Sequence, residues 1–262
     1  MAGFATTEWS GGYDVAFPGH TRHLSSPYRS LASRDFDAAL RSELPAAAIR
    51  TQARAAKLAA GGVTLASGEH IAARCVIDCR DFTLSAQLRG GWQVFVGRHL
   101  RTRTAHGVAD PIVMDTRVAQ HGAYRFVYTL PLGPNELFVE DTYYADEPAL
   151  DRAALEARID RYCTAMGWHG DRLGGETGVL PVITGGDFAA YRAALGGAGV
   201  VRPGARGGFV HPLTSYTLPF AVANALALAR HAQLPGDQLA ALFEDRAQRH
   251  WQATRFYRSL GR

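Results

Sequence analysis

From Tyr124 to Leu130, Tyr124, Phe126, Tyr128 and Leu130 alternate with Arg125, Val127 and Thr129, the period-two pattern of a β-strand. Pro131-Leu132-Gly133-Pro134-Asn135 is turn chemistry, and Leu137 to Tyr144 resumes as a second strand. The pattern predicts a hairpin with a loop of about five or six residues. On its second strand Phe138, Glu140 and Thr142 share one face, and Val139, Asp141 and Tyr143 the other. Further strands are predicted at Tyr13–Phe17, Arg22–Leu24, around Ile49 and Val63, and over His70–Ile77, Gln93–Gly97 and Ile112–Asp115. Gly174–Gly186 reads as strand and turn. Helical spacing covers Asp35–Leu44, capped by Ser33 and stopped by Pro45. It also covers Asp151–Met166, capped by Asp151, with Leu155, Ile159, Tyr162, Cys163 and Met166 as the apolar stripe. Another helix is expected to start at Thr214 or Ser215, and a last one to run from Asp237 to about Leu260.

These elements make the chain α/β (α+β). At 262 residues it accommodates one or two domains. The expected division is 1–85 as a partial nucleotide-binding-type segment, 86–185 as a β-sheet substrate domain carrying the helix at 151–166, and 186–262 as a loop followed by helices. Composition changes little: 47% hydrophobic and 20% charged is ordinary for a globular protein. The net charge of +4 comes from basic residues among which Lys57 is the only lysine. No compact basic run is present, which speaks against a nucleic-acid partner.

Cys75, Cys79 and Cys163 are the 3 cysteines, without a CxxC pair. A sparse, odd set suits a reducing compartment and offers no metal site. The start of the chain lacks the charged and apolar regions of a signal peptide. The longest apolar run, Leu218 to Ala229, is too short to span a bilayer, which takes about 20 residues. The chain is therefore expected to be soluble or peripheral to a membrane.

The segment from Gly107 to Asp146, with PIVMD, YRFVYTLPL and LFVEDTYY, closely resembles bacterial lycopene β-cyclases. GVLPVITGGDF (Gly178 to Phe188) and GGFVHPLTSYTLPFAVA (Gly207 to Ala223) resemble two further blocks of that family in the same order. The resemblance implies a partial Rossmann-like, FAD-binding flavoprotein fold with a mainly antiparallel β-sheet substrate domain and C-terminal helices. The family opens on a strand, a GxGxxG-type turn and a helix, and this chain has no such element. It is expected to begin after the turn that receives the FAD pyrophosphate, to stop before the family's carboxy-terminal end, and to bind FAD weakly or not at all.

Glu140 is the leading site candidate. A carboxyl among apolar and aromatic neighbours has its pKa raised by desolvation, and by resemblance FVEDT aligns with the family's essential acidic motif. Both Glu140 and Asp141 are thus catalytic candidates. On a regular strand they face opposite ways, which favours Glu140 as acid and base and leaves Asp141 as a hydrogen-bonding partner. For the cofactor, a glycine-rich loop feeding a helix suits a negative ligand. The resemblance places Gly207, Gly208, His211, Pro212, Thr214, Ser215 and Tyr216 beside the flavin ring. Val76-Ile77-Asp78 reads first as a buried strand followed by a loop; the resemblance also makes Asp78 a candidate near the adenine half of FAD, although Cys79 and Asp81 stand where the family commonly has glycine. Asp115 and Arg125 read as satisfied polar positions within the sheet, and the hairpin aromatics as core or as the lining of a polyene tunnel.

The resemblance implies lycopene β-cyclase activity: acid-initiated closure of lycopene end groups to β-ionone rings with reduced FAD, NAD(P)H serving as reductant, and no net redox change. Lycopene is dissolved in lipid, so the expected place is the cytoplasmic side of the inner membrane, in peripheral contact with its surface. The competing readings are a flavin-dependent monooxygenase of an apolar substrate and an inactive truncated fragment.

Overall fold

Pro131 and Gly133 do not belong to a loop: both pair across the hairpin, Pro131 with Leu137 and Gly133 with Glu136. The computed structural model, which describes residues 7–82 and 85–261, therefore closes the hairpin through a tight turn at Pro134-Asn135 rather than the longer loop expected. Its strands are β10 (Arg125–Gly133) and β11 (Glu136–Ala145). They occupy the middle of a seven-stranded sheet of order β12-β8-β11-β10-β9-β2-β3. The other members are β2 (Tyr13–Phe17), β3 (His20–Leu24), β8 (Leu88–Thr102), β9 (Ile112–Asp115) and β12 (Gly170–Gly186). The expected, mainly antiparallel character holds: β2/β3, β9/β10, β10/β11 and β8/β11 are antiparallel, and β2/β9 is parallel.

The chain forms two compact units. Unit 1 comprises 1–49 and 92–179, and unit 2 comprises 50–91 and 180–262. Residues 13–24, expected with a nucleotide-binding segment, thus contribute β2 and β3 to the sheet of unit 1. Unit 1 also holds the short pair β1 (Thr7–Trp9) and β4 (Tyr28–Ser30), and helix α1 (Ser33–Glu43). Ala32, not Ser33, stands at the N-cap of α1, in extended backbone and with no side-chain cap. Helix α2 (Arg152–Ala165) starts as expected, with the Asp151 carboxylate accepting from the Ala154 N–H at 3.0 Å. Its stripe Leu155, Ile159, Tyr162 and Cys163 packs on Val96, Val127, Leu137 and Val139 of one sheet face. Full burial of side chains such as Ile159 contributes roughly 1.5–3 kcal/mol each. Met166, expected in that stripe, is exposed at the helix end.

In unit 2, β5 (Ala55–Ala59), β6 (Gly62–Leu65) and β7 (His70–Ala72) form a three-stranded antiparallel sheet. The strand expected around Ile49 is absent: Ile49 ends the 3-10 turn Ala46–Ala48. The strand expected to continue to Ile77 stops at Ala72, and Ile77 makes an isolated parallel bridge with Val201. Helices α3 (Phe188–Ala194), α4 (Leu218–Arg230), α5 (Gly236–Ala253) and α6 (Arg255–Leu260) follow. Phe188, Tyr191, Val201, Phe209, Phe243 and Ala247 lie in the core of this unit. The single helix expected to the chain end is broken at Thr254, whose hydroxyl donates back to the His250 carbonyl at 2.9 Å. Back-bonding of this kind bends helices. Among the described residues no helix is long and apolar enough to cross a membrane.

Candidate active site

Glu140 stands directly opposite Tyr128 on β10 and Gly97 on β8. Thr142, two residues on, stands opposite Phe126 and Phe95. Cross-strand partners share a face, so Glu140 sits in a patch built from Phe95, Phe126, Tyr128, Phe138 and Thr142. Gly97 is required here: a Cβ on it would lie 2.2 Å from the Phe138 Cζ, so the ring occupies the space a side chain would take. At Gly178 a Cβ would lie 2.3 Å from the Phe95 Cζ, which puts Gly178 on this same face. Glu176, two residues earlier on the same strand, shares it.

The Thr142 hydroxyl donates to Glu140 Oε1 at 2.8 Å. Glu140 is partly open to solvent, yet burial pushes its carboxyl up to about 7. The Thr142 hydrogen bond opposes that rise, while the negative charges of Glu176 and Asp141 add to it. A carboxyl with such a pKa holds a proton near neutrality and takes one back readily, which is what a general acid and base requires. The ring faces beside it are electron-rich and attract a cation.

Asp141 points the other way, into the face covered by α2. It is completely buried, and Arg125, itself buried, closes on it: Arg125 Nε donates to both carboxylate oxygens at 2.9 and 3.0 Å, and Nη2 donates to Oδ2. Arg125 Nη1 donates to the Ala119 carbonyl at 2.9 Å. Beside this pair, Asp115 accepts from Arg117 and from the Tyr162 hydroxyl at 2.9 Å. Burial works against the Asp115 charge, but the hydrogen bonds from Arg117 and Tyr162 prevail and hold its pKa below the usual value. Asp115 and Arg125 are thus satisfied polar positions. Asp141 thus has both oxygens engaged by Arg125 in a buried ion pair.

Unit 2 carries the remaining candidates, in two groups: Asp78 with its arginines, and the turn from His211 to Tyr216. Asp78 is buried and accepts from Arg80 Nε and Nη2 at 2.8 and 2.9 Å. Arg202 and Arg206 bring two more guanidiniums within 3.8 and 4.0 Å of its carboxylate. The same segment turns at Gly207 and Gly208. A Cβ on Gly207 would lie 2.0 Å from the Arg202 carbonyl oxygen, and Gly208 has φ 89°, so both positions need glycine. The Thr214 hydroxyl lies 3.0 Å from His211 Nδ1, and the Ser215 hydroxyl donates to the Pro181 carbonyl at 2.7 Å. Burial lowers the His211 pKa. Pro212 is buried and Tyr216 is 54% exposed. The helix expected to start at Thr214 or Ser215 starts at Leu218 instead. Ser215 has φ 57°, a left-handed conformation, and the His211 N–H donates to the Tyr216 carbonyl, closing a turn where the helix was expected.

Glu176, Arg202 and Arg206 escaped the sequence reading. Glu176 lies in Gly174-Gly175-Glu176-Thr177-Gly178, which looks like a turn but is internal to β12. The two arginines meet Asp78 only through the fold.

The arrangement is an α/β protein with an acid on an aromatic sheet face, and its fold is shared by enzymes of diverse chemistry. A geranylgeranyl bacteriochlorophyll reductase-like protein from Thermoplasma acidophilum superposes with a TM-score of 0.60 at 13% identity, over 99% of this chain and 72% of that one. The flavin-dependent brominase Bmp2 superposes with a TM-score of 0.58 at 12% identity, over 95% and 69%. Sequence narrows the class: residues 1–262 match the model of the family described as Lycopene cyclase protein, and the chain belongs to that family. It is 40% identical over 252 residues to a lycopene beta-cyclase of Pseudescherichia vulneris and 34% identical over 253 residues to that of Pantoea ananas. The alignments cover 96% and 95% of this chain, which spans 64% and 65% of the length of those relatives.

Proposed function

We propose that this protein acts as a lycopene β-cyclase in which Glu140 is the acid and base, closing lycopene end groups to β-ionone rings without net redox change. The observation that carries the reading is a carboxyl with a pKa of about 7 on an aromatic sheet face, in a chain 34–40% identical to lycopene beta-cyclases. Glu140 delivers its proton to the terminal trisubstituted alkene and leaves a tertiary carbocation. The neighbouring double bond attacks that centre and closes a six-membered ring. Loss of a proton from the ring to the Glu140 carboxylate restores both the alkene and the acid. The rings of Phe95, Phe126, Tyr128 and Phe138 stabilise positive charge and exclude the water that would trap it. Asp141, locked to Arg125, positions β11 from the opposite face.

The chemistry of the unit 2 donors fits FAD. Among the described residues Arg202 Nε is buried without a hydrogen bond, Arg80 and Arg206 add guanidiniums suited to phosphate, and Gly207 and Gly208 make the tight turn that follows them. With Asp78, His211, Pro212, Thr214, Ser215 and Tyr216, these residues would hold the cofactor. Bound in its reduced form, FAD supplies a negative or proton-donating surface, and NAD(P)H serves only to reduce it. The lipid-dissolved substrate argues for work at a membrane surface, on the cytoplasmic side of the inner membrane.

Expression in a lycopene-accumulating bacterium, followed by pigment chromatography, tests the reading. Products with β-ionone rings are expected. Unchanged lycopene in the presence of intact, flavin-loaded protein would refute it.

A further inference from the structure

On the side of the unit 1 sheet away from Glu140, the segment after β9 and the outer flank of α2 enclose a cleft of about 550 Å³. Four guanidiniums line it, from Arg117, Arg125, Arg158 and Arg161, together with the imidazole of His121. Two carboxylates offset part of this charge. Asp141 holds Arg125, and Asp115 holds Arg117. Neither Arg158 nor Arg161 has a carboxylate partner among the described residues, so the cleft keeps two uncompensated positive charges. They lie at i and i+3 on α2 and therefore point along one flank of the helix.

The wall opposite α2 is braced. The Gln120 amide donates to the carbonyls of Thr116, Val118 and Arg125 at 3.2, 3.0 and 2.9 Å, and its oxygen accepts from the Arg125 N–H at 3.0 Å. Arg125 also clamps the Ala119 carbonyl. His121 is held at φ 51°, a backbone state uncommon outside glycine. A like-charged cluster repels itself, and here its walls are fixed by hydrogen bonds that do not neutralise it.

The donors divide in a way that selects a ligand. Arg125 spends Nε, Nη1 and Nη2 within the protein, so it contributes charge but little contact. Arg117 spends Nε and Nη2 on Asp115 and has Nη1 left to point elsewhere. Arg158 lies over the Tyr143 ring, 5.7 Å from its centroid, a contact that places its guanidinium without consuming its donors. Three guanidiniums with available N–H groups around one small cleft suit a tetrahedral oxyanion carrying one or two charges. We propose that this cleft binds a phosphate group. The His121 imidazole senses the same field: its pKa is lowered first by the Arg158 charge, then by burial and by Arg125 and Arg161, with Asp141 opposing.

A phosphate in the cleft can belong to an anionic lipid head group or to a soluble phosphate compound, and two probes separate these sources. The 262-residue chain is titrated with inorganic pyrophosphate, and separately with vesicles of phosphatidylglycerol against vesicles of phosphatidylcholine. The His121 resonance, assigned with His121→Gln, reports cleft occupancy through its pKa, and calorimetry or co-sedimentation reports affinity. We expect binding to raise the His121 pKa. Arg158→Gln/Arg161→Gln should weaken binding about tenfold or more. Arg34→Gln/Arg54→Gln, which removes equal charge outside the cleft, should change it less than about twofold. If the double cleft variant misfolds, the exposed Arg161→Gln alone serves, and about threefold weakening is expected. Pyrophosphate binding assigns a soluble ligand, and binding only to phosphatidylglycerol vesicles assigns a head group. Absence of binding to both probes, or equal weakening by the two double variants, overturns the proposal.

Discussion

Glu140 and Asp141, adjacent in sequence, occupy opposite faces of β11: Glu140 stands across from Tyr128 among aromatic rings, and Asp141 is sealed against Arg125 beneath α2. Neutralising either one therefore tests a different property. In the proposed reading Asp141 bears on stability and Glu140 on proton transfer.

The Arg125–Asp141 pair should behave as a structural unit. Arg125→Ala or Asp141→Ala leaves a buried charge without its partner and is expected to cost about 3–5 kcal/mol. Urea denaturation of each variant measures this directly. A loss below about 1 kcal/mol would mean that the pair is not sealed as the fold shows.

Stability should also carry the signature of the Glu140 carboxyl. Its pKa is raised from 4.5 to about 7, so the folded state binds this proton more tightly than the unfolded one. The resulting stabilisation is fully present below the unfolded value and is lost as pH rises through about 7. Between pH 4 and pH 8 the wild type should lose on the order of 1–3 kcal/mol relative to Glu140→Gln. Parallel denaturation curves of the two proteins across this range test it, and a constant difference would remove the raised pKa.

Glu176 is one of the charges that raise the Glu140 pKa. Glu176→Gln should shift the basic limb of the Glu140 titration, read from its carboxyl infrared band, to lower pH by a few tenths of a unit to about one unit. Glu136→Gln, which removes a carboxylate already paired with Arg101, serves as control and should leave the limb in place.

Gly97→Ala should disturb the site without adding charge. The new methyl would lie 2.2 Å from the Phe138 ring, and overpacking of this kind costs about 1–3 kcal/mol. The expected result is a lower melting temperature together with a displaced Phe138 ring. Unchanged stability would mean that the ring moves aside freely.

The hairpin and its two faces were legible because period two is written directly in Tyr124–Leu130 and Leu137–Tyr144. The length of its loop was not, because Pro131 and Gly133 carry turn chemistry while pairing across the ladder. At Thr214 and Ser215 good capping residues suggested a helix start, but the left-handed Ser215 and the His211–Tyr216 hydrogen bond close a turn first. Glu140 and Asp141 could be sorted by alternation alone. The partners that give each its character could not: Arg125, Glu176 and Tyr128 reach them through cross-strand register, which no local pattern contains. The cleft of Arg117, Arg125, Arg158 and Arg161 was invisible for the same reason, since its charges come from three separate segments and form no basic run.

The most direct test of the account compares Glu140→Gln with Asp141→Asn for lycopene conversion at matched protein and flavin content. Glu140→Gln keeps size and hydrogen bonding but cannot carry the proton, so it should lower the rate on the order of 100- to 10,000-fold, with folding near normal. Asp141→Asn should lose protein yield and retain turnover per folded molecule. An active Glu140→Gln beside an inactive, well-folded Asp141→Asn would contradict the assignment and move the acid to the other face of β11.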